Sequence, residues 1–286
     1  MSPAADPRYV AARRVLLDAL DALAVHRRAL VIVGAQAVYL RTEPSAVRVA
    51  PFTIDGDFVL DPAQLGDEPR LEAALEAGGF RLRPADGGGV QPGLWTRRTQ
   101  VGAQAIDVAV DLLVPAAWTA GGPSLRGARL GVHGKVAARR TRGLEGALVD
   151  HGPLAVGALE PEDPRVIEVA VAGPAALLVA KMHKLLDRGA GRADRLHDKD
   201  AADVVRLLQT APTAELVPVF ATLCGHGQAG PVTREALTGL QQWFAARGRP
   251  GVQMAVRALE GAMPAAQVAA ICTTAVAALQ EGRALR

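Results

Sequence analysis

Val31-Ile32-Val33-Gly34-Ala35-Gln36-Ala37-Val38-Tyr39-Leu40-Arg41, followed after a short gap by Thr53-Ile54-Asp55-Gly56-Asp57-Phe58-Val59-Leu60, decides the reading of the fold. Ala29 to Val33 is an apolar strand that Gly34 ends, and Ala35 to Arg41 fits a short helix. A helix that starts where a strand stops leaves its first backbone N–H groups free, an arrangement suited to anions. The second strand alternates, so Asp55 and Asp57 share one face while Ile54, Phe58 and Leu60 take the other. Two carboxylates that close repel in a low dielectric, and a divalent cation between them offsets the repulsion. The plain alternative is a strand end with two solvated carboxylates.

Upstream, Asp6-Pro7 reads as an N-cap with proline in the first turn, opening a helix to about Arg28 with Val15, Leu16, Leu20 and Leu23 on one face. Downstream, Asp61-Pro62 opens a helical stretch that is strongest from Arg70 to Ala77 and ends at Gly78-Gly79. Phe80 to Arg83 and Leu94 to Thr99 read as strands joined by a Gly-rich loop from Pro84 to Gly93. That loop lacks the Gly-Lys-Ser/Thr of a P-loop and joins strand to strand, so it reads as a hairpin connection and not a phosphate cradle. Gln104 to Val114 alternates without exception: Ile106, Val108, Val110, Leu112 and Val114 on one face, with Asp107 and Asp111 on the other.

From Arg126 to Arg142 the chain carries Arg126, Arg129, Lys135, Arg139, Arg140 and Arg142 and no acidic residue. Such a run is a solvated face or a contact for a phosphate backbone. A strand from Arg165 to Val171 ends at Gly173-Pro174, after which the pattern is helical: Pro174 to Asp187, about Leu196 to Gln209, Thr233 to Ala246, Val252 to Leu259 and Pro264 to Leu279. In the first of these helices Lys181, Lys184 and Arg188 form a cationic stripe opposite Leu178, Met182 and Leu185. Asp200 and Asp203 share a face of the next. The fold class is therefore α/β (α+β), with residues 1–172 forming a mixed sheet flanked by helices and 173–286 forming a helical domain.

The 286 residues are half apolar but only 3% aromatic, so Ala, Val and Leu must build the core. A net charge of +3 advertises no chain-wide affinity for nucleic acid. Cys224 and Cys272 belong to no metal-binding motif and are expected as buried thiols. Neither a leader pattern nor an unbroken apolar span is present, which gives a cytoplasmic protein with no membrane partner as the expectation.

Gly34-Ala35, Thr53-Ile54-Asp55-Gly56-Asp57, Val110-Asp111-Leu112-Leu113, the run Ala180-Lys181-Met182-His183-Lys184-Leu185-Leu186-Asp187-Arg188 and Lys199-Asp200-Ala201-Ala202-Asp203 together form a recognisable set. It resembles the nucleotidyltransferases of the DNA-polymerase-beta-like superfamily, and in particular the abortive-infection, type IV toxin-like members, from about residue 30 to residue 210. The resemblance implies a nucleotidyltransferase-type sheet, an NTP substrate and two Mg²⁺ ions held by Asp55, Asp57 and Asp111, with Asp107 as the other candidate for the third carboxylate. It also implies that Gly34, Ala35 and Lys181 face the triphosphate, that Lys184, Arg188 and Lys199 are further phosphate contacts, and that Asp200 orients Lys181 or Arg188. Many members have Gly-Ser where this chain has Gly34-Ala35, which leaves only backbone N–H groups for a phosphate there. In the toxin-like relatives the acceptor can be the 3′ end of tRNA or another RNA, while other relatives modify proteins or antibiotics, so the acceptor stays open; the implied protein partner is a cognate antitoxin.

Two further readings compete. The Ala-for-Ser change is compatible with a nucleotide-binding or regulatory module of the same fold. His183, His197, Asp198 and Asp203 invite an HD-type metal phosphohydrolase, but that reading leaves the strand carboxylates unexplained.

Overall fold

The computed structural model describes residues 6–42, 53–120, 126–189 and 198–284, with the side chains of 188, 189, 283 and 284 outside that description. In chain order the elements are α1 (Pro7–Ala22), β1 (Leu30–Val33), α2 (Gly34–Thr42), β2 (Asp55–Leu60), α3 (Leu71–Ala77), β3 (Arg81–Pro84), β4 (Val90–Val101), β5 (Gln104–Pro115), β6 (Arg139–Thr141), β7 (His151–Gly157) and β8 (Val166–Ala172). Six helices follow: α4 (Pro174–Gly189), α5 (Asp198–Thr210), α6 (Thr213–Gly225), α7 (Gly230–Phe244), α8 (Pro250–Ala258) and α9 (Ala265–Ala284).

All the strands join one mixed sheet in the order β3-β4-β5-β2-β1-β8-β7, with β6 paired to β5. β1 runs antiparallel to β2, whereas β2 and β5 run parallel with Asp55 opposite Ala109, Asp57 opposite Asp111 and Val59 opposite Leu113. The alternation of β2 and β5 explains this register. Gly56, Phe58 and Leu60 form one buried row, and Val108, Val110, Leu112 and Val114 form the matching row beside it. α1 covers that row with Leu16, and a side chain at Gly56 would meet Leu16 Cδ1 at 2.8 Å. The other face is left to the carboxylates.

The chain divides into two compact units. The first holds α1, β1, the opening of α2 and the sheet. The second holds the rest of α2, the short 3-10 turn Glu145–Leu148 and helices α4 to α9. Its core is mostly aliphatic: Leu178, Met182 and Leu185 of α4 are buried, as are Val204 and Leu207 of α5 and Leu240 of α7, with Phe220 and Phe244 as buried aromatics. Asp150 caps α4 by accepting a hydrogen bond from the Ala176 N–H at 2.9 Å. Among the described residues no single helix is long and apolar enough to cross a membrane.

Several elements differ from the sequence reading. α1 ends at Ala22, and Ala24–Ala29 tightens into a 3-10 turn, which brings His26 inward to within 2.7 Å of the Pro69 carbonyl. The stretch after Asp61-Pro62 forms no helix before α3. β4 starts at Val90, so the Gly-rich connection is shorter than expected, with Pro84 paired to Val90. β7 was not legible because Gly152 and Pro153 break its pattern; as a terminal strand of the sheet it tolerates a proline that cannot donate to a ladder. α6 was hidden by the prolines at 212 and 218, one at its N-cap and one inside it.

The thiol expectation divides: Cys272 is buried, while Cys224 is half-buried. Burial pushes the Cys272 thiol up to about 12. Since the thiolate is the nucleophile, iodoacetamide at a pH below the ordinary thiol value of 9.0 should alkylate Cys224 in the folded protein and leave Cys272 intact until denaturant is added. Peptide mass mapping checks this, and early labelling of Cys272 would contradict the burial.

Candidate functional site

The carboxylate face of the sheet is built by the pairing of β2 with β5. Asp57 and Asp111 are direct partners on adjacent parallel strands, so their side chains leave the same face side by side. Asp55 shares that face one pleat earlier, opposite Ala109. Asp107 is exposed and pairs across β4 with Arg98, a pleat away from Ala109. Register thus separates the two third-carboxylate candidates: Asp111 lies beside Asp57, and Asp107 does not.

Gly34 explains how α2 approaches this face. Its φ is +72°, and an ideal Cβ there would lie 1.9 Å from Asp57 Oδ2. Only glycine fits both the left-handed backbone and the contact. The carboxylate of Asp57 consequently lies at the start of α2, where the helix dipole is positive and favours an anion. Ala35, the next residue, is buried at 8% exposure.

Asp55 is held from behind by groups that the sequence reading did not single out. Gln36, fully buried on α2, donates to the Asp55 carbonyl at 3.1 Å and to the Ala12 carbonyl at 3.2 Å. Its Oε1 accepts from Arg13 Nε at 2.8 Å, and Arg13 also donates to the Gly157 carbonyl at 3.1 Å and to Tyr9 Oη at 2.9 Å. One amide thereby ties α1 and α2 to the strand that carries the carboxylates. Its sequence signal is a polar residue between Ala35 and Ala37, in the apolar first half of α2.

The Asp55 carboxylate accepts a hydrogen bond from the Thr53 hydroxyl, and Asp111 Oδ2 accepts from Arg139 Nη2 at 2.9 Å. Among the described residues no three His, Cys, Asp or Glu side chains converge closely enough to hold a metal ion. Carboxylate oxygens are nevertheless the right donors for Mg²⁺, which takes one or two of them and completes its shell with water and substrate phosphate. The adjacent pair Asp57 and Asp111 fits that requirement.

The remaining predicted residues belong to the second unit. Lys181 is buried at 4% exposure, and its Nζ donates to Asp200 Oδ1 at 2.9 Å and to Asp203 Oδ2 at 2.6 Å. Burial alone pushes the Lys181 ammonium down, but the charges of Asp203 and Asp200 and the hydrogen bonds to them raise its pKa above the ordinary 10.5. Lys184 is exposed, with Nζ 3.4 Å from Asp200 Oδ1. Lys199 is exposed at the start of α5. Arg188 lies in the last turn of α4, its side chain outside the described residues.

Of the phosphohydrolase set, His197 lies outside the described residues. The other three have different partners: His183 Nε2 is 2.8 Å from the Val232 carbonyl, Asp198 accepts two hydrogen bonds from Arg257, and Asp203 is bound to Lys181. Arg206, which the sequence reading passed over, lies with its guanidinium carbon 5.5 Å from the centre of the Tyr39 ring.

No family model matches the sequence, and neither does any curated protein. Among solved structures, the chain is similar to an antigenic nucleotidyltransferase-like protein from Paracoccidioides brasiliensis, with 15% identity, 89% of this chain and 94% of that chain covered, and a TM-score of 0.46. It is also similar to the antibiotic-resistance factor ANT(2'')-Ia, with 14% identity, 73% of this chain and 89% of that chain covered, and a TM-score of 0.36.

Two substitutions test the geometry. Gly34→Ala should destabilise the protein in urea melts by about 1–3 kcal/mol from backbone strain, with the collision against Asp57 added to it; an unchanged midpoint would refute the close approach. Lys181→Met should cost about 3–5 kcal/mol, because two buried carboxylates lose their cation. Since the folded pKa of Lys181 is raised, its contribution is complete below pH 10.5 and is lost only as pH climbs through the raised value. The gap between wild type and variant should therefore stay flat up to that pH.

Proposed function

We propose that the protein is a Mg²⁺-dependent nucleotidyltransferase that moves the NMP of an NTP to an acceptor hydroxyl. The observation that carries the reading is the register of β2 on β5, which sets Asp57 directly beside Asp111 at the start of α2. Two carboxylates on neighbouring strands at roughly 4.8 Å spacing repel by about 3 kcal/mol at an effective dielectric of 20, so the pair favours a cation.

In this reading Asp57 and Asp111, with Asp55 on the same face, would hold two Mg²⁺ ions when the NTP is bound. Bound Mg²⁺ would neutralise the phosphate charge and lower the cost of the leaving pyrophosphate. The acceptor hydroxyl attacks the α-phosphorus in line, its proton passes to Asp111, and the bond to pyrophosphate breaks. Gln36 keeps the β2 backbone in place behind Asp55, and positioning with charge neutralisation supplies most of the acceleration. The family resemblance extends the reading to a toxin-like cytoplasmic enzyme acting on the 3′ end of tRNA and restrained by a cognate antitoxin. The exposed Arg126, Arg129, Lys135 and Arg142 suit such a polyanionic acceptor.

A second reading is favoured by one observation. Asp55 is bound to Thr53 and Asp111 to Arg139, an arrangement that suits a nucleotide-binding module without turnover.

Incubating the protein with each labelled NTP, Mg²⁺ and total RNA should transfer label to an RNA 3′ end, and Asp57→Ala should lower transfer by roughly 10²-fold or more. Binding of NTP without pyrophosphate release would establish the module instead, and equal transfer by the variant would remove Asp57 from the reaction.

A further inference from the structure

The basic run from Arg126 to Arg142 reaches the carboxylate face through one residue, Arg139. β6 pairs with β5 in parallel, with Leu113 opposite Arg139. Arg139 therefore leaves the same face as Asp111, which lies two residues before Leu113. Its backbone is fixed there by Gly93, where φ is +73° and an ideal Cβ would lie 2.4 Å from the Arg139 nitrogen. Any side chain at position 93 would push β6 away.

Arg139 Nη2 meets Asp111 Oδ2 at 2.9 Å, with the arginine side chain 38% exposed and the aspartate side chain 18%. The Nε of Arg139 is shut off from solvent and has no hydrogen-bond partner among the described residues. A guanidinium fork ordinarily engages a carboxylate through two parallel bonds. A buried donor left unmatched carries a desolvation cost, which an additional anionic oxygen would recover. Because Asp57 stands beside Asp111, a divalent ion bound by the pair would compete with Arg139 for the oxygens of Asp111.

We propose that Arg139 is an exchangeable counter-cation: it neutralises Asp111 in the free protein, and on binding of the metal–nucleotide it releases Asp111 and turns its fork to the phosphates of the NTP. The proposal rests on the reading of Asp57 and Asp111 as metal ligands. The geometry suits the exchange because β6 is anchored while the arginine side chain is 38% exposed, and a planar fork matches phosphate oxygens as well as carboxylate ones.

The test uses the full chain carrying Arg139→Gln or Arg139→Lys. Mn²⁺ is titrated by electron paramagnetic resonance without nucleotide, and a non-hydrolysable NTP analogue is then titrated by calorimetry with Mn²⁺ present. Removing the competing cation should make Mn²⁺ bind Arg139→Gln roughly tenfold more tightly, while the loss of the phosphate contact should make the analogue bind roughly tenfold more weakly. Arg139→Lys, which keeps the charge but not the fork, should hold Mn²⁺ near the wild-type affinity and still bind the analogue weakly, and it covers the case in which Arg139→Gln fails to fold. Asp57→Asn should abolish Mn²⁺ binding, leaving the free-ion signal at full height, and so locate the ion. Equal or weaker Mn²⁺ binding by Arg139→Gln, unchanged analogue affinity in both variants, or no Mn²⁺ binding by the wild type would overturn the proposal. If the wild type transfers NMP and neither affinity moves in the variants, the role of Arg139 falls alone. If both affinities move as stated and no acceptor is ever labelled, nucleotidyl transfer falls and the exchange stands.

Discussion

The parallel pairing of β2 with β5 is the constraint on which the rest of the first unit depends. Phe58 and Leu60 on one strand and Val110, Leu112 and Val114 on the other form a continuous apolar surface that α1 covers. A slip of one residue would turn that surface to solvent and bury the aspartates, so burial of the apolar face locks the register. With the register locked, Asp57 and Asp111 have to stand side by side on the opposite face. The site's electrostatics are a by-product of the core.

Holding two carboxylates together requires positive charge nearby, and the fold supplies it in layers. The start of α2 lies against Asp57, with Gly34 allowing the approach, and Arg139 sits on Asp111. Beneath β2, the buried Arg13 works through Gln36, which fixes the backbone of Asp55. The second unit solves a similar problem independently: Asp200 and Asp203 are buried around the single ammonium of Lys181, with Lys184 at the edge. A buried cluster of that kind specifies one arrangement of α4 and α5, because removing any member strands a charge.

Much of this was legible before the structure. The alternation in β5 identified the buried face and both aspartates on the other, since a period of two leaves no freedom once one face is apolar. Gly34 was recognisable as the end of β1, and the helical second half from its apolar spacing. Asp111 and Asp107 could not be told apart, because both lie on one face of one strand and only the partner strand distinguishes them. Gln36 was not legible as a site residue, and Arg139 only as one of a basic run, because nothing local marks an amide or an arginine whose partners lie 19 and 28 positions away.

By itself, then, the sequence determined a sheet half and a helical half, the faces that β2 and β5 bury, and the aspartates on their other faces. These follow from local periodicity, which neighbours along the chain encode. The tertiary structure alone decided that Asp57 pairs with Asp111, that its carboxylate lies against Gly34, that Arg139 holds Asp111, and that Lys181 is enclosed by Asp200 and Asp203. Each of these depends on strand order and helix packing, which are fixed by burying the whole apolar surface at once and not by any single stretch of residues.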